Sequence, residues 1–166
     1  MMSLEVQSFA FFFDRLMLDV IAQLHDIADA DLNRELDLPE CNTLFVLATH
    51  LIRSADYWVL GMATGKPQPR NRQAEFSARG TRTEIVADYQ RWLAEMHTVL
   101  AAFPAERLNE LATGEEPLTI RDGFLHTLQH CSVHLGHIQL SRQILGYAPP
   151  TKLLPQVPNG ALEPAR

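Results

Sequence analysis

The stretch LTIRDGFLHTLQHCSVHLGHIQLSRQILG, residues 118–146, holds four of the seven histidines in the chain. His126, His130, His134 and His137 follow one another at intervals of four, four and three residues, the spacing that lines up side chains on one face of an α-helix. Thr119 and Asp122 suit a first helical turn and Gly146 a left-handed stop, so the spacing predicts one helix from about Thr119 to about Leu145. At about 100° per residue, His126, His134 and His137 fall within roughly 40° of His130. Val133 and Leu140 flank this stripe on one side, and Ile120, Thr127 and Ile138 on the other. Arg121, Gln129, Ser132, Gln139 and Gln143 lie opposite, which places the histidines inside the expected buried arc.

Three further segments read as long helices, and none of ordinary length reads as a strand. Helix three opens at TRTE, where Thr81 and Glu84 have capping-box spacing. Its apolar side carries Ile85, Tyr89, Trp92, Leu93, Met96, Leu100 and Phe103, with Pro104 past its end. Helix two runs from about Thr43, after Pro39 in LPECN, to about Thr64, before GKPQP. The polar stretch KPQPRNRQAEFSARG between them suits a long crossover better than a tight hairpin. Helix one spans about Leu4 to Ala28, with Phe11, Leu18, Ile21 and His25 on one side. Phe11, Phe12 and Phe13 are too many consecutive aromatics for one face, so at least one is expected against a partner chain, the tail or solvent. The fold class is therefore all-α: a four-helix bundle over residues 1–147 with a proline-rich C-terminal tail over 148–166.

Composition bounds the rest. A chain of 166 residues is long enough to bury roughly two thirds of its unfolded surface as one domain without staples. Net charge is -6 and the basic residues are dispersed, so neither nucleic acid nor an anionic membrane surface is an expected partner. Cys41 and Cys131 lack metal-ribbon spacing, which favours a reducing compartment. The run SFAFFF follows an acidic residue and is followed by Asp14 and Arg15, unlike a secretory leader, and no stretch approaches the roughly 20 apolar residues of a membrane span. A cytoplasmic location is expected.

Buried imidazoles raise an energetic problem, because each unsatisfied nitrogen costs about 1 to 3 kcal/mol. A shared cation relieves several at once, and helix two supplies another inward ring. In NTLFVLATHLIRSADYW, residues 42–58, His50 follows the core spacing of Leu47, Leu51, Ser54 and Trp58. Three imidazoles with an open fourth position describe a catalytic rather than a closed structural site, and zinc, nickel and iron all accept such ligands. The bland alternative is a set of hydrogen-bonded core histidines, and His25 and His97 take that reading. A di-iron carboxylate bundle would need Glu-x-x-His pairs, which the chain lacks, and nothing supports haem. No strong general base stands out: Asp56 and Tyr57 lie beyond His50, and Glu95 is at best a neighbour on helix three.

These residues resemble the DinB/YfiT-like superfamily of four-helix bundle proteins, whose motif is a histidine in helix two and HxxxHxG in the last helix. His50, His130, His134 and Gly136 match it, and the resemblance runs from about Leu4 to Tyr147. It implies a metal triad of His50, His130 and His134. His137 stands where many relatives carry Gln, which leaves it open as a neighbour supporting a ligand, a substitute ligand or a general base, and His126, one turn before the pair, is expected near the site but not on the ion. Relatives include metal-dependent transferases that use low-molecular-weight thiols such as bacillithiol or mycothiol, a thiol-dependent maleylpyruvate isomerase, and stress-induced proteins. The resemblance implies an enzyme whose metal activates a thiol or water toward a small electrophilic molecule, by transfer or hydrolysis, in a homodimer. The alternative is a non-catalytic, metal-binding or stress-related bundle acting as a dimeric binding module.

Overall fold

A computed structural model describes residues 2–67, 69–112 and 117–150; the expected tail lies outside them beyond Pro150. Six α-helices make up the described chain. The helices are α1 (Leu4–Leu24), α2 (Asp29–Leu32), α3 (Leu44–Ala55), α4 (Arg72–Phe76), α5 (Arg82–Ala101) and α6 (Ile120–Ile144). Among the described residues the only β pairing is an isolated bridge between Leu111 and Thr119. No helix of these residues is long and apolar enough to cross a membrane.

The ends of the long helices follow local chemistry. The Ser3 hydroxyl accepts from Val6 N–H to start α1, and Thr43 accepts from Val46 N–H to start α3. Capping boxes open α5, between Thr81 and Glu84, and α6, between Thr119 and Asp122. Past Ala55 the helical path of α3 widens into a π turn, Asp56–Gly61, and closes with Met62–Thr64 at Gly65, whose φ of 70° is left-handed. The 43–64 span of the sequence reading holds, whereas the π turn was not legible in it. α1 stops four residues short of Ala28.

Two expected faces differ. On α1 the buried side is Val6, Phe9, Phe13, Met17, Val20, Ile21 and Leu24. Phe11 and His25 are exposed and Leu18 is half-buried. Three consecutive phenylalanines leave the helical phase open, and the heptad-like run through Phe9, Phe13, Met17 and Val20 decides it by burying more large side chains. On α6 the buried arc is Ile120, Phe124, Thr127, Cys131, Leu135, Ile138 and Arg142. It is centred roughly 100° around the helix from His130 at the ordinary turn per residue. The histidines therefore sit at the edge of the core, with His126, His130 and His134 half-buried and His137, Val133 and Leu140 exposed.

α1 packs on both α5 and α6, and α3 packs on the same two helices, so the four long helices close a ring around one core. Its centre is aromatic: Phe124 meets Phe9 and Phe13 edge-on at 5.2 and 5.6 Å, and Phe13 meets Trp92 at 6.1 Å. Tyr89 brings a polar group inside and donates its hydroxyl to the Ala48 carbonyl at 2.9 Å. Phe45 lies against Gly80 and Arg53 pairs with Asp88 at 3.1 Å, so residue numbers rise together along α3 and α5. Arg142, 1% exposed, forks onto Asp26 and reaches the carbonyls of Gln23 and Ala148. That clamp ties the end of α6 to the end of α1.

Between α2 and α3, Cys41 N–H donates to the Leu38 carbonyl at 3.4 Å across Pro39 and Glu40. Proline second and a positive φ third is the arrangement of a type II turn, whose third place normally takes glycine. Here Glu40 holds it at φ 56°, a conformation that costs a side-chain-bearing residue on the order of 1 kcal/mol.

Gly61 in the π turn has a different constraint. A Cβ there would lie 2.6 Å from the Pro67 Cα, a backbone atom that cannot swing aside. Ala gains about 1 kcal/mol over Gly inside a helix, but overpacking against backbone costs about 1 to 3 kcal/mol on top of cancelling that gain. Gly61→Ala is expected to lower stability in urea unfolding; an increase would show that Pro67 moves freely.

Candidate metal centre

α3 and the edge of α6 bring three imidazoles together. The His50 ring centroid lies 5.0 Å from that of His130 and 5.1 Å from that of His134, and the latter two are 4.4 Å apart. One nitrogen from each ring lies within 4.8 Å of the others. A tetrahedral ion with bonds of 2.0 to 2.1 Å asks for nitrogens about 3.3 Å apart, so closure needs at most about 1.5 Å of side-chain adjustment.

The hydrogen bonding fits a cation. His130 Nε2 and His134 Nδ1 are buried and have no hydrogen-bond partner, an arrangement that costs stability unless something electron-poor occupies the space between them. His50, 5% exposed, contacts Glu75 Oε2 through Nδ1 at 2.9 Å. Because a carboxylate only accepts, Nδ1 carries the proton, and Nε2 is left with a free lone pair. Glu75 is gripped in turn by Arg70, Nε to Oε1 at 3.0 Å and Nη2 to Oε2 at 2.6 Å. Arg70 Nη2 also lies 3.4 Å from His50 Nδ1, but two donors cannot satisfy each other, so the shorter bonds to Glu75 set the arrangement. A histidine whose outer nitrogen is tied to a carboxylate is the usual support of a metal-ligating ring.

Electrostatics keeps the rings ready to bind. Burial, with the neighbouring His134, His50, His126 and Arg70, pushes the His130 pKa down to about 3. Burial, with His50 and His137, pushes His134 down to about 4. Burial also lowers His50, outweighing the pull of Glu75 in the other direction. Burial alone would raise Glu75, but the hydrogen bonds from Arg70 and His50 overcome it and hold the carboxyl below its ordinary range. All three imidazoles are thus neutral at pH 7 and present lone pairs.

The neighbours fall as follows. His126 lies over Trp58 with ring centroids at 4.9 Å and stacks on His130 at 5.5 Å. His137 is exposed, 5.5 Å from His134. Phe76 stacks on His50 at 5.0 Å. His25 is exposed and outside the cluster, and His97 Nε2 pairs with Asp14 Oδ1 at 2.8 Å across α1 and α5. Glu95 is exposed, while Asp56 and Tyr57 line a hollow with Arg53 that also borders Arg70 and Glu75. Arg70, Glu75 and Phe76 escaped the sequence reading, which treated their segment as a polar connection. The only local signal is Asn71, whose side chain accepts from Ala74 N–H and starts α4.

The sequence profile described as the DinB superfamily matches residues 13–138, most of the chain and all three clustered histidines. The chain belongs to the DinB superfamily. A crystal structure described as that of a conserved protein from Enterococcus faecalis shares the DinB-type helical fold, with a TM-score of 0.71 at 15% identity over 88% of this chain and 99% of that one. At that identity the likeness speaks for the fold alone. Comparison with curated proteins gave no match. Within the DinB fold of this chain, His50, His130 and His134 form a possible metal site.

Two outcomes test the centre. Glu75→Gln keeps the shape but weakens the anchor of His50, and zinc affinity by competitive chelator titration is expected to fall about 10- to 100-fold. Metal-free protein carries a pH signature. Unfolded, His130 and His134 take up protons near 6.5; folded, only near 3 and 4. Between those values the unfolded chain holds more protons, so stability falls as pH drops from about 6.5 toward 4. Urea unfolding at pH 7 and pH 5 is expected to show that loss, and the His130→Ala, His134→Ala double variant is expected to lose less.

Proposed function

We propose that this DinB-superfamily chain is a metal-dependent enzyme acting on a small electrophilic molecule, with His50, His130 and His134 as the ligands of one divalent ion. The observation that carries the reading is that His130 and His134 each hold a buried, unpartnered nitrogen, and that one nitrogen of each lies within 4.8 Å of one on a third ring whose outer nitrogen is tied to Glu75. Zinc, nickel and iron suit three imidazoles equally. When bound, such an ion lowers the pKa of a thiol or water and offers positive charge to a developing anion. A low-molecular-weight thiol is the proposed cosubstrate, by analogy with thiol-using members of the superfamily; hydrolysis is the version in which water takes its place.

The chain's own residues have defined tasks in this reading. Glu75 accepts the Nδ1 proton of His50 and so fixes which nitrogen faces the site. Arg70 occupies both oxygens of Glu75 and keeps it ionised. Phe76 covers one face of the His50 ring, and Trp58 covers His126. His126 and His137 stand beside the triad, where either can take a proton from an incoming nucleophile.

A second reading, a non-catalytic dimeric metal-binding module, has its own support. Glu75 is fully engaged, which leaves no free carboxylate in contact with the triad among the described residues. A homodimer is proposed under either reading. Phe11 and Phe12, packed edge-on at 5.5 Å, remain 39% and 49% exposed, and Gly136 sits exposed in mid-helix with open space where a side chain would go. Among the described residues nothing calls for glycine there, at a helix cost of about 1 kcal/mol.

Metal analysis of the protein as purified is expected to find close to one zinc, nickel or iron per chain, with His130→Ala losing it while remaining folded by circular dichroism. Under the enzymatic reading, the same variant loses at least a hundredfold in transfer of a thiol to a chromogenic aryl halide. A folded wild-type protein that neither retains nor is thermally stabilised by any of these ions ends both readings.

A further inference from the structure

Next to the triad lies a cleft of about 450 Å³, within the size range of small-molecule sites. His134 and His137 form the wall nearest the centre. Leu38, Leu47, Leu140 and Ile144 supply apolar surface, from α6, the start of α3 and the turn before it. Among the described residues the lining includes no lysine or arginine, and apart from the imidazoles its only charged side chain is Glu40. That carboxylate stands at the third place of the type II turn, held at φ 56° where glycine would relieve the backbone. A strained position filled by a charged residue, at the rim of an apolar cleft, is where a functional constraint is expected.

We infer that this cleft binds the organic substrate of the neighbouring centre by its apolar part, and that Glu40 at its rim disfavours anionic molecules there relative to uncharged or cationic ones. The inference rests on the reading of His50, His130 and His134 as that centre. An anion entering the cleft meets the Glu40 carboxylate, which works against the attraction of an ion held by the triad, and among the described lining residues it finds no guanidinium or ammonium to pair with. A neutral apolar molecule loses nothing by that and gains from Leu38, Leu140 and Ile144, all about half-exposed without it. His137, exposed on the cleft wall, becomes a substrate-facing group rather than a fourth ligand.

Two fluorescent probes with one skeleton test the charge selection on the full chain: uncharged N-phenylnaphthylamine and anionic anilinonaphthalenesulfonate. After any bound ion is removed by chelator, wild-type protein is expected to bind the neutral probe more tightly. In Glu40→Gln the ratio of the two dissociation constants is expected to fall roughly tenfold, the factor given by removing one like charge several ångströms away near a protein surface. Leu140 is 56% exposed, so Leu140→Asp leaves the core alone, and it is expected to weaken neutral-probe binding at least tenfold with an unchanged circular dichroism spectrum. A ratio unmoved in Glu40→Gln, or neutral-probe binding unmoved in Leu140→Asp, overturns the inference. So does neutral-probe affinity that falls as protein concentration rises while light scattering reports a dimer, because a second copy then covers the cleft. Zinc retention measured on the same samples before the chelator separates the two readings: charge-selective probe binding without zinc binding keeps the cleft and removes the metal centre.

Discussion

The hydrogen bond from His50 Nδ1 to Glu75 joins a rigid part of this protein to an irregular one. His50 is buried on α3, whose inner face is fixed by the core; Glu75 lies on a helix of only five residues in the long connection between α3 and α5. Arg70, from the same connection, grips Glu75 with a bidentate fork, so charge and hydrogen bonds do for this segment what apolar packing does for the long helices. Such groups are costly to bury unless each is paired, and each of them is paired. The triad therefore has one member braced from behind and two that are not. His130 and His134 hold their places through the backbone of α6 and the neighbouring rings of His50, His126 and His137.

The rotation of α6 gives the site its access. Had the histidine stripe pointed into the centre of the core, as the helical projection predicts, Phe9, Phe13 and Phe124 would have had to yield their contacts to it. Instead those aromatics hold the centre and the rings lie along the seam between α6 and α3. At a seam, burial is deep enough to keep imidazoles neutral and shallow enough to leave a cleft beside them. The same fact explains why Val133 and Leu140, which looked like core, lie in solvent.

What the sequence made legible was mostly local. Thr43, Thr81 and Thr119 announce their helices through the side-chain oxygen that caps them, and Gly65 and Gly146 their ends through backbone freedom. The pairing of His50 with His130 and His134 was legible through the superfamily motif more than through the helical projection, which turned the α6 stripe too far into the core. The phase of α1 was not, since Phe11, Phe12 and Phe13 support three projections and only tertiary packing chooses among them. Glu75 was invisible for a different reason: its importance comes from a contact with a residue 25 positions away, made by a segment with no hydrophobic periodicity to reveal its orientation.

The two cysteines share neither surroundings nor reactivity. Cys131 is fully enclosed on the core side of α6, and burial pushes its thiol up to about 12, so it stays protonated and out of reach of reagents at neutral pH. Cys41 is half-exposed on the wall of the cleft, directly after the strained Glu40. Thiol chemistry applied to the folded chain thus discriminates between them without mutagenesis. The protein carries its own single attachment point, at the mouth of the cleft, for a spectroscopic label that reports on what enters.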